Sequence, residues 1–195
     1  MSKLYFRYGA MNCGKSTALI QVAYNYEERG MKVIVMKPGV DSKGDGYILS
    51  RIGASRQVDL LINETCNIFD NIKSYIDNQG RIDCILIDEV QFLKEEQIDD
   101  LLKIVVILDI PVICYGLRTD FVMNGFEGSS RLLLIAHSIE ELKSICICGS
   151  KATQNARKIN GEFIFQGNQI AIDNSKDVSY EALCAKCYFK MRNRD

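Results

Sequence analysis

A chain of 195 residues, 47% apolar and 25% charged, is long enough for one sizeable domain with its own core. A net charge of −1 and a pI near 5.9 exclude the basic footprint of a protein that binds nucleic acid or an anionic membrane. No apolar run reaches transmembrane length and the start, MSKLYFRYGA, has no secretory pattern, so the expected compartment is the cytoplasm.

In chain order, residues 3–8 (KLYFRY) read as a strand, and residues 15–29 as a helix. Residues 32–37, 58–62, 84–88 and 111–116 are further short apolar runs, continuous rather than alternating, as in strands buried on both faces. Residues 68–78 and 94–108 carry helical patterning, and Gly30 and Gly80 fall where helix C-caps belong. Alternating strands and helices predict a parallel α/β sheet with right-handed crossovers over residues 1–137. From residue 138 onward the character changes to short alternating segments, with a hairpin turn expected at Asn160-Gly161. Residues 138–195 therefore read as a small β-rich module.

Eight cysteines are unevenly spread. Cys13, Cys66, Cys84 and Cys114 are scattered and read as small buried hydrophobes. Cys146, Cys148, Cys184 and Cys187 cluster in the last third, which in a reducing compartment suggests a metal before disulfides. Four thiolates make a closed tetrahedral set, the pattern of a structural zinc site. His137, the one histidine, has no evident chemical partner and reads as structural or solvated.

Between the first strand and first helix, Gly9, Ala10, Met11, Asn12, Cys13, Gly14, Lys15 and Ser16 fit G-x-x-x-x-G-K-[ST]. Glycines let successive N–H groups converge on phosphate oxygens, and the following helix adds positive potential. Lys15 would reach the β- and γ-phosphates, and Ser16 would offer its hydroxyl to Mg²⁺. A second carboxylate for the metal stands at the end of the run CILID. That residue is Asp88, at the sheet edge where ligands of open α/β sheets bind. Glu89 follows and fits a general base, either for water in hydrolysis or for a substrate hydroxyl in phosphoryl transfer. Spacing alone does not separate the two.

GAMNCGKSTALIQ, Lys37-Pro38, IDEVQF (87–92), CYGLRTDF (114–121) and SYEALCAKCYF (179–189), in this joint order, resemble the thymidine kinases with a RecA-like core and a zinc lasso. The likeness spans residues 4–189 and is nearest to the Gram-negative branch with AMNxGKSTxL. It implies a P-loop RecA-like parallel sheet flanked by helices, with a zinc-bound β-rich lasso or lid module. The implied activity is ATP-dependent phosphorylation of the thymidine 5′-hydroxyl to give dTMP in DNA precursor salvage. A RecA-like ATPase or nucleotide transferase and a nucleotide-gated binding module are the alternatives.

Carried over by position, the resemblance gives residues 9–16, Asp88, Glu89, Val90 and Gln91 to ATP, with Ser16 and Asp88 serving Mg²⁺. Glu89 becomes the proton acceptor and Lys15 its catalytic companion. Met11, Gln91, Phe92, Leu117, Phe121, Phe126, Gln169, Ile170, Ala171, Ile172 and Tyr180 go to thymidine, and Arg157 approaches the phosphates. Leu117, Phe121 and Phe126 also read as plain core, and Tyr180 as core of the module. Cys146, Cys148, Cys184 and Cys187 become the zinc ligands. The resemblance further implies a homotetramer, feedback inhibition by dTTP, and no nucleic-acid or membrane partner. Two departures stand out: Cys146-x-Cys148 is one residue shorter than the usual C-x-x-C, and Lys43 stands two after Asp41, where relatives carry Arg. That leaves the parts played by Asp41, Lys43 and Arg51 open. On this reading the phosphate loop does not depend on the lid.

Overall fold

The computed structural model describes residues 1–39, 46–167, 169 and 177–193. A six-stranded sheet forms its centre. In chain order the strands are β1 (Leu4–Gly9), β2 (Val33–Pro38), β5 (Leu60–Ile62), β6 (Cys84–Ile87), β7 (Val112–Gly116) and β8 (Ser138–Leu142). They lie in the order β5-β2-β6-β7-β1-β8, and every pairing is parallel. A short antiparallel pair, β3 (Tyr47–Leu49) and β4 (Ser55–Gln57), stands apart.

The inner strands β2, β6 and β7 are buried on both faces because helices cover both. Leu4, Phe6, Ile34, Met36, Ile85, Ile87, Val112 and Cys114 point one way, onto α2 (Ile68–Gln79), α3 (Glu95–Ile107) and α4 (Glu127–Ile135) through Ile72, Leu101, Ile104 and Leu132. Val33, Val35, Cys84, Leu86, Ile113 and Tyr115 point the other way, onto Leu19 and Ala23 of α1 (Lys15–Glu27). The two-residue period of a strand thus sorts one continuous apolar run into two cores. The expected strands and helices are present. Asn67 caps α2 by accepting from Asp70 N–H, and Gly80 closes it as expected.

Three elements lie outside that expectation. Helix α4 and the β3–β4 pair were not foreseen. Strand β8 pairs with β1, so the sheet continues past residue 137, where the sequence reading ends the core. His137 is structural: its Nδ1 accepts from Leu4 N–H at 3.0 Å, at the entry to that strand.

Beyond β8 come β9 (Ser144–Ile145) and β10 (Lys151–Ala152), then an antiparallel sheet of β11 (Gln154–Ile159), β12 (Glu162–Ile164) and β13 (Val178–Leu183), and finally α5 (Ala185–Arg192). Asn160 and Gly161, with φ of 51° and 85°, make the two-residue turn between β11 and β12. Ala152, Ala156, Ala182, Leu183 and Tyr188 form the module's own small core, and Ala10 of the first loop joins it. Among the scattered cysteines, Cys84 and Cys114 are buried and burial pushes both thiols up, Cys84 to about 12. Cys13 and Cys66 are only half-buried, short of the buried positions expected for them. Among the described residues, no helix is long and apolar enough to cross a membrane.

Candidate active site

Strands β1, β6 and β7 deliver their C-terminal ends to one edge of the sheet. Gly9 ends β1, Asp88 follows β6 and Gly116 ends β7. Gly9 has no room for a side chain: a Cβ there would lie 2.4 Å from Cys13 Sγ and 2.6 Å from Leu142 O. The loop then turns through left-handed residues at Asn12 (φ 65°) and Gly14 (φ 83°) before α1 begins at Lys15. Lys15 is only 7% exposed, and its ammonium donates back across the loop to Ala10 O at 2.9 Å and to Cys13 Sγ at 3.6 Å.

Ser16 on the first turn of α1 donates to Asp88 Oδ2 at 3.1 Å, joining the loop to the end of β6. Asp88 is 5% exposed, and its Oδ1 accepts from Glu89 N–H at 3.0 Å. Burial pushes the Asp88 carboxyl up to about 7, and the neighbouring Glu89 carboxylate adds to the rise. The Glu89 N–H, Ser16 hydroxyl and Lys15 ammonium pull the other way. Glu89 itself sits at φ 50°, ψ 35°, a left-handed conformation that costs a non-glycine residue energy. A short 3₁₀ turn over Val90–Phe92 follows.

Gln91 is 2% exposed and ties this edge to the next loop. Its Nε2 donates to Glu89 Oε2, while its Oε1 accepts from Leu117 N–H at 3.0 Å. Ser129 of α4 donates to Leu117 O at 2.5 Å. Leu117, Phe121 and Phe126 are all buried. Phe126 meets Phe92 edge to face at 5.7 Å. The Phe121 ring lies under the Arg157 guanidinium, 3.7 Å from its centroid.

The C-terminal module closes over this loop. Arg157 is buried, donating from Nε to the Tyr180 hydroxyl at 3.1 Å and from Nη2 to Gln169 O at 2.8 Å. Tyr188 OH donates to Phe121 O at 2.7 Å. Arg157, Tyr180, Gln169 and Phe121 therefore meet in one place. Ile170, Ala171 and Ile172 lie outside the described residues, as do Asp41 and Lys43. Arg51 is exposed in the turn between β3 and β4.

Cys146, Cys148, Cys184 and Cys187 converge with all four sulfurs within 4.8 Å of one another. Cys148 and Cys184 Sγ are 3.7 Å apart, close to the ~3.8 Å edge of a tetrahedron with zinc–sulfur bonds of about 2.3 Å. Cys184 also caps α5, accepting from Cys187 N–H at 3.4 Å. Hydrogen bonds to Ser150 lower the Cys148 thiol to about 6, while hydrogen bonds to Cys148 and Cys184 raise Cys187 to about 12.

One expectation needs correction. The loop over residues 9–16 is not independent of the C-terminal module. Ala10 packs into the module's core, and the Met11 N–H donates 2.8 Å to Asn155 Oδ1 on β11. Sequence reading passed over Asn155, because a polar residue in an alternating strand looks the same whether it faces water or a loop.

A parallel α/β sheet joins, at one edge, a glycine loop and lysine to adjacent carboxylates beside a tetracysteine module, and the family this sequence matches makes the protein a phosphotransferase. The thymidine kinase family model matches residues 2–188. Thymidine kinases of Francisella tularensis, Mannheimia succiniciproducens and Haemophilus influenzae are 44%, 45% and 46% identical to the chain. The alignments cover 95%, 98% and 96% of it, and 96%, 97% and 96% of those proteins. The chain belongs to the thymidine kinase family. Among solved structures, a DNA replication initiation factor is 17% identical and aligns with a TM-score of 0.40 over 73% of this chain and 40% of that one.

Proposed function

We infer that this protein is an ATP-dependent thymidine kinase, moving the γ-phosphoryl group of ATP to the thymidine 5′-hydroxyl to give dTMP for DNA synthesis. Besides family membership, one observation carries the reading. Glu89 is held between the phosphate-loop side, through Asp88 and Ser16, and the buried aromatic side, through Gln91 and Leu117. A base at that junction stands where a phosphate donor and a nucleoside acceptor would meet.

In the proposed mechanism, residues 9–16 cradle the ATP phosphates with backbone N–H groups other than that of Met11, which Asn155 holds, and Lys15 swings from Ala10 O to the β- and γ-phosphates. Ser16 and Asp88, already in contact, are the residues that would hold Mg²⁺, which when bound would supply positive charge to offset that developing on the phosphoryl oxygens. Val90 lies on the same edge. Glu89 takes the 5′-hydroxyl proton as the oxygen attacks, and Gln91 fixes the carboxylate by donating to it. Met11, Gln91, Phe92, Leu117, Phe121, Phe126 and Tyr180 enclose the nucleoside, with Gln169 to Ile172 along the base edge. Arg157 offers positive charge at that boundary. The cysteines fit structural zinc, which would tie the module closed and take no part in the transfer.

Residues 1–137 and 138–195 are proposed as core and lid, with β8 a strand that the lid segment lends to the sheet. A homotetramer is in keeping with exposed Val106, Ile107, Leu133 and Leu134 on neighbouring helices α3 and α4. Inhibition by dTTP follows if one ligand fills the base pocket and the phosphate loop together. The expected compartment is the cytoplasm. The deciding experiment measures ADP release with and without thymidine. Strict dependence on thymidine supports the kinase, and steady release without it replaces the kinase with an ATPase.

A further inference from the structure

We propose that Asn155 is a positioning residue that fastens the phosphate loop and the nucleoside loop to the metal-tied module, fixing the spacing between the two substrate sites. The proposal rests on the kinase reading above and adds a residue to it.

Asn155 is 3% exposed and is the second residue of β11. Its backbone pairs with Ala182 on β13 and its neighbour Ala156 lies in the module core. The side chain reaches out of the module in two directions. Oδ1 accepts from Met11 N–H at 2.8 Å, and Nδ2 donates to Thr119 O at 2.9 Å. The amide's orientation is forced, because Met11 offers only a backbone donor and Thr119 only a backbone acceptor there. Three segments far apart in sequence, at residues 11, 119 and 155, thus meet on one buried carboxamide.

That arrangement has consequences for both sites. The Met11 N–H is committed to protein, so the loop's curvature is set partly from outside its own strand and helix. Thr119 lies two residues from Leu117, whose N–H is held by Gln91, and two from Phe121, whose carbonyl is held by Tyr188. The nucleoside loop is therefore pinned at 117, 119 and 121, and the pin at 119 is the one shared with the phosphate loop. Phosphoryl transfer depends on donor and acceptor being held to within about an ångström. A residue bonded to both holding loops sets that distance without touching either substrate. Aspartate keeps the acceptor and loses the donor. Leucine keeps the branching with a somewhat larger volume and loses both.

The test compares Asn155→Leu, Asn155→Asp and, as a control on the same strand, Lys158→Ala, which disturbs only the Glu181 pair and the Phe163 ring. ADP affinity is read by calorimetry, independently of turnover. Thymidine KM and kcat are read by coupled assay, and metal content by elemental analysis. Leaving a buried backbone group unpaired changes affinity by about tenfold or more. The expected result is that Asn155→Leu weakens ADP binding and raises thymidine KM together, by about tenfold each, with kcat lowered and metal content unchanged. Asn155→Asp should keep ADP affinity within about twofold, since Met11 N–H retains its acceptor, and still raise thymidine KM. Lys158→Ala should match wild type. Wild-type ADP affinity in a folded Asn155→Leu protein overturns the proposal, as does an Asn155→Asp protein that loses both affinities equally. If Asn155→Leu does not fold, the aspartate variant alone decides. Absence of thymidine turnover in wild type would instead sink the kinase reading and leave the ADP comparison standing.

Discussion

Gln91 hands its amide nitrogen to Glu89 and its amide oxygen to Leu117, so the proposed base and the first residue after β7 share one side chain. Two binding loops are thereby tied to the orientation of one carboxylate. Gln91→Leu should remove both ties at nearly constant volume. We expect kcat to fall by about 10- to 100-fold through misplacement of Glu89. Stability should fall by about 1–3 kcal/mol from the unpaired Leu117 N–H. Steady-state kinetics with urea melts checks both, and an unchanged kcat would detach Gln91 from Glu89's function.

Glu89→Gln keeps the shape of the site and removes the base. A loss in kcat of roughly 10²–10⁴ is expected, with ADP affinity close to wild type. Near-normal turnover would take Glu89 out of the mechanism.

Gly116 ends β7 directly against Gln91. A Cβ at this position would lie 2.6 Å from Gln91 Oε1 and 2.9 Å from Val90 Cγ1. Gly116→Ala should cost about 1–3 kcal/mol in overpacking and also displace Gln91, lowering kcat. A melt and a rate measured on the same preparation test whether the two effects travel together.

Asp88 titrates far above an ordinary aspartate, near 7. Its folded-state value is raised, so between about pH 4 and 7 the native protein holds a proton that the unfolded chain has released, and stability falls as pH rises through that window. Magnesium at Asp88 would compete with that proton. Added Mg²⁺ should therefore raise the melting temperature more at pH 8 than at pH 5.5. Equal shifts at both values would argue that the metal does not meet Asp88.

Cys184 is proposed both as a metal ligand and as the cap of α5. Cys184→Ser should drop metal content below the about one zinc per chain of a four-cysteine site. Both thymidine and ADP affinity should weaken, because the module carries Asn155 as well as Tyr180 and Arg157. Elemental analysis beside ADP titration decides; full ADP affinity without metal would separate the loop from the module.

The sheet and the glycine loop at its edge were legible because each depends on a local pattern. Continuous apolar runs at 84–87 and 112–116 need no partner to read as buried strands, and the loop at 9–16 carries its glycines and lysine in fixed order. Other parts depend on distant neighbours. Strand β8, SIEEL, is polar because it lies at the sheet's edge, so it lacks the apolar run that marked the others. The first turn of helix α4 carries Gly128, Ser129 and Ser130, small residues that hide the helical period; Gly128 lies against the backbone of Val90 and Leu93, and Ser129 bonds Leu117 O. Leu117, Phe121 and Phe126 read equally as pocket or core, and all three are buried. Asn155 gave no signal, since its two partners lie far away along the chain.

The order in which the chain is made gives the Asn155 brace a further meaning. All six strands of the central sheet have been synthesised by Leu142, before any of the four clustered cysteines. A chain emerging from the ribosome can therefore assemble its sheet first, N-terminal parts leading. The Met11 N–H must wait for Asn155, and Asn155 for β13 and the last cysteines. The loop among the earliest residues translated is thus among the last to reach its final shape, so on the proposed reading a nascent chain would gain full nucleotide affinity only after β13 and the last cysteines have been made.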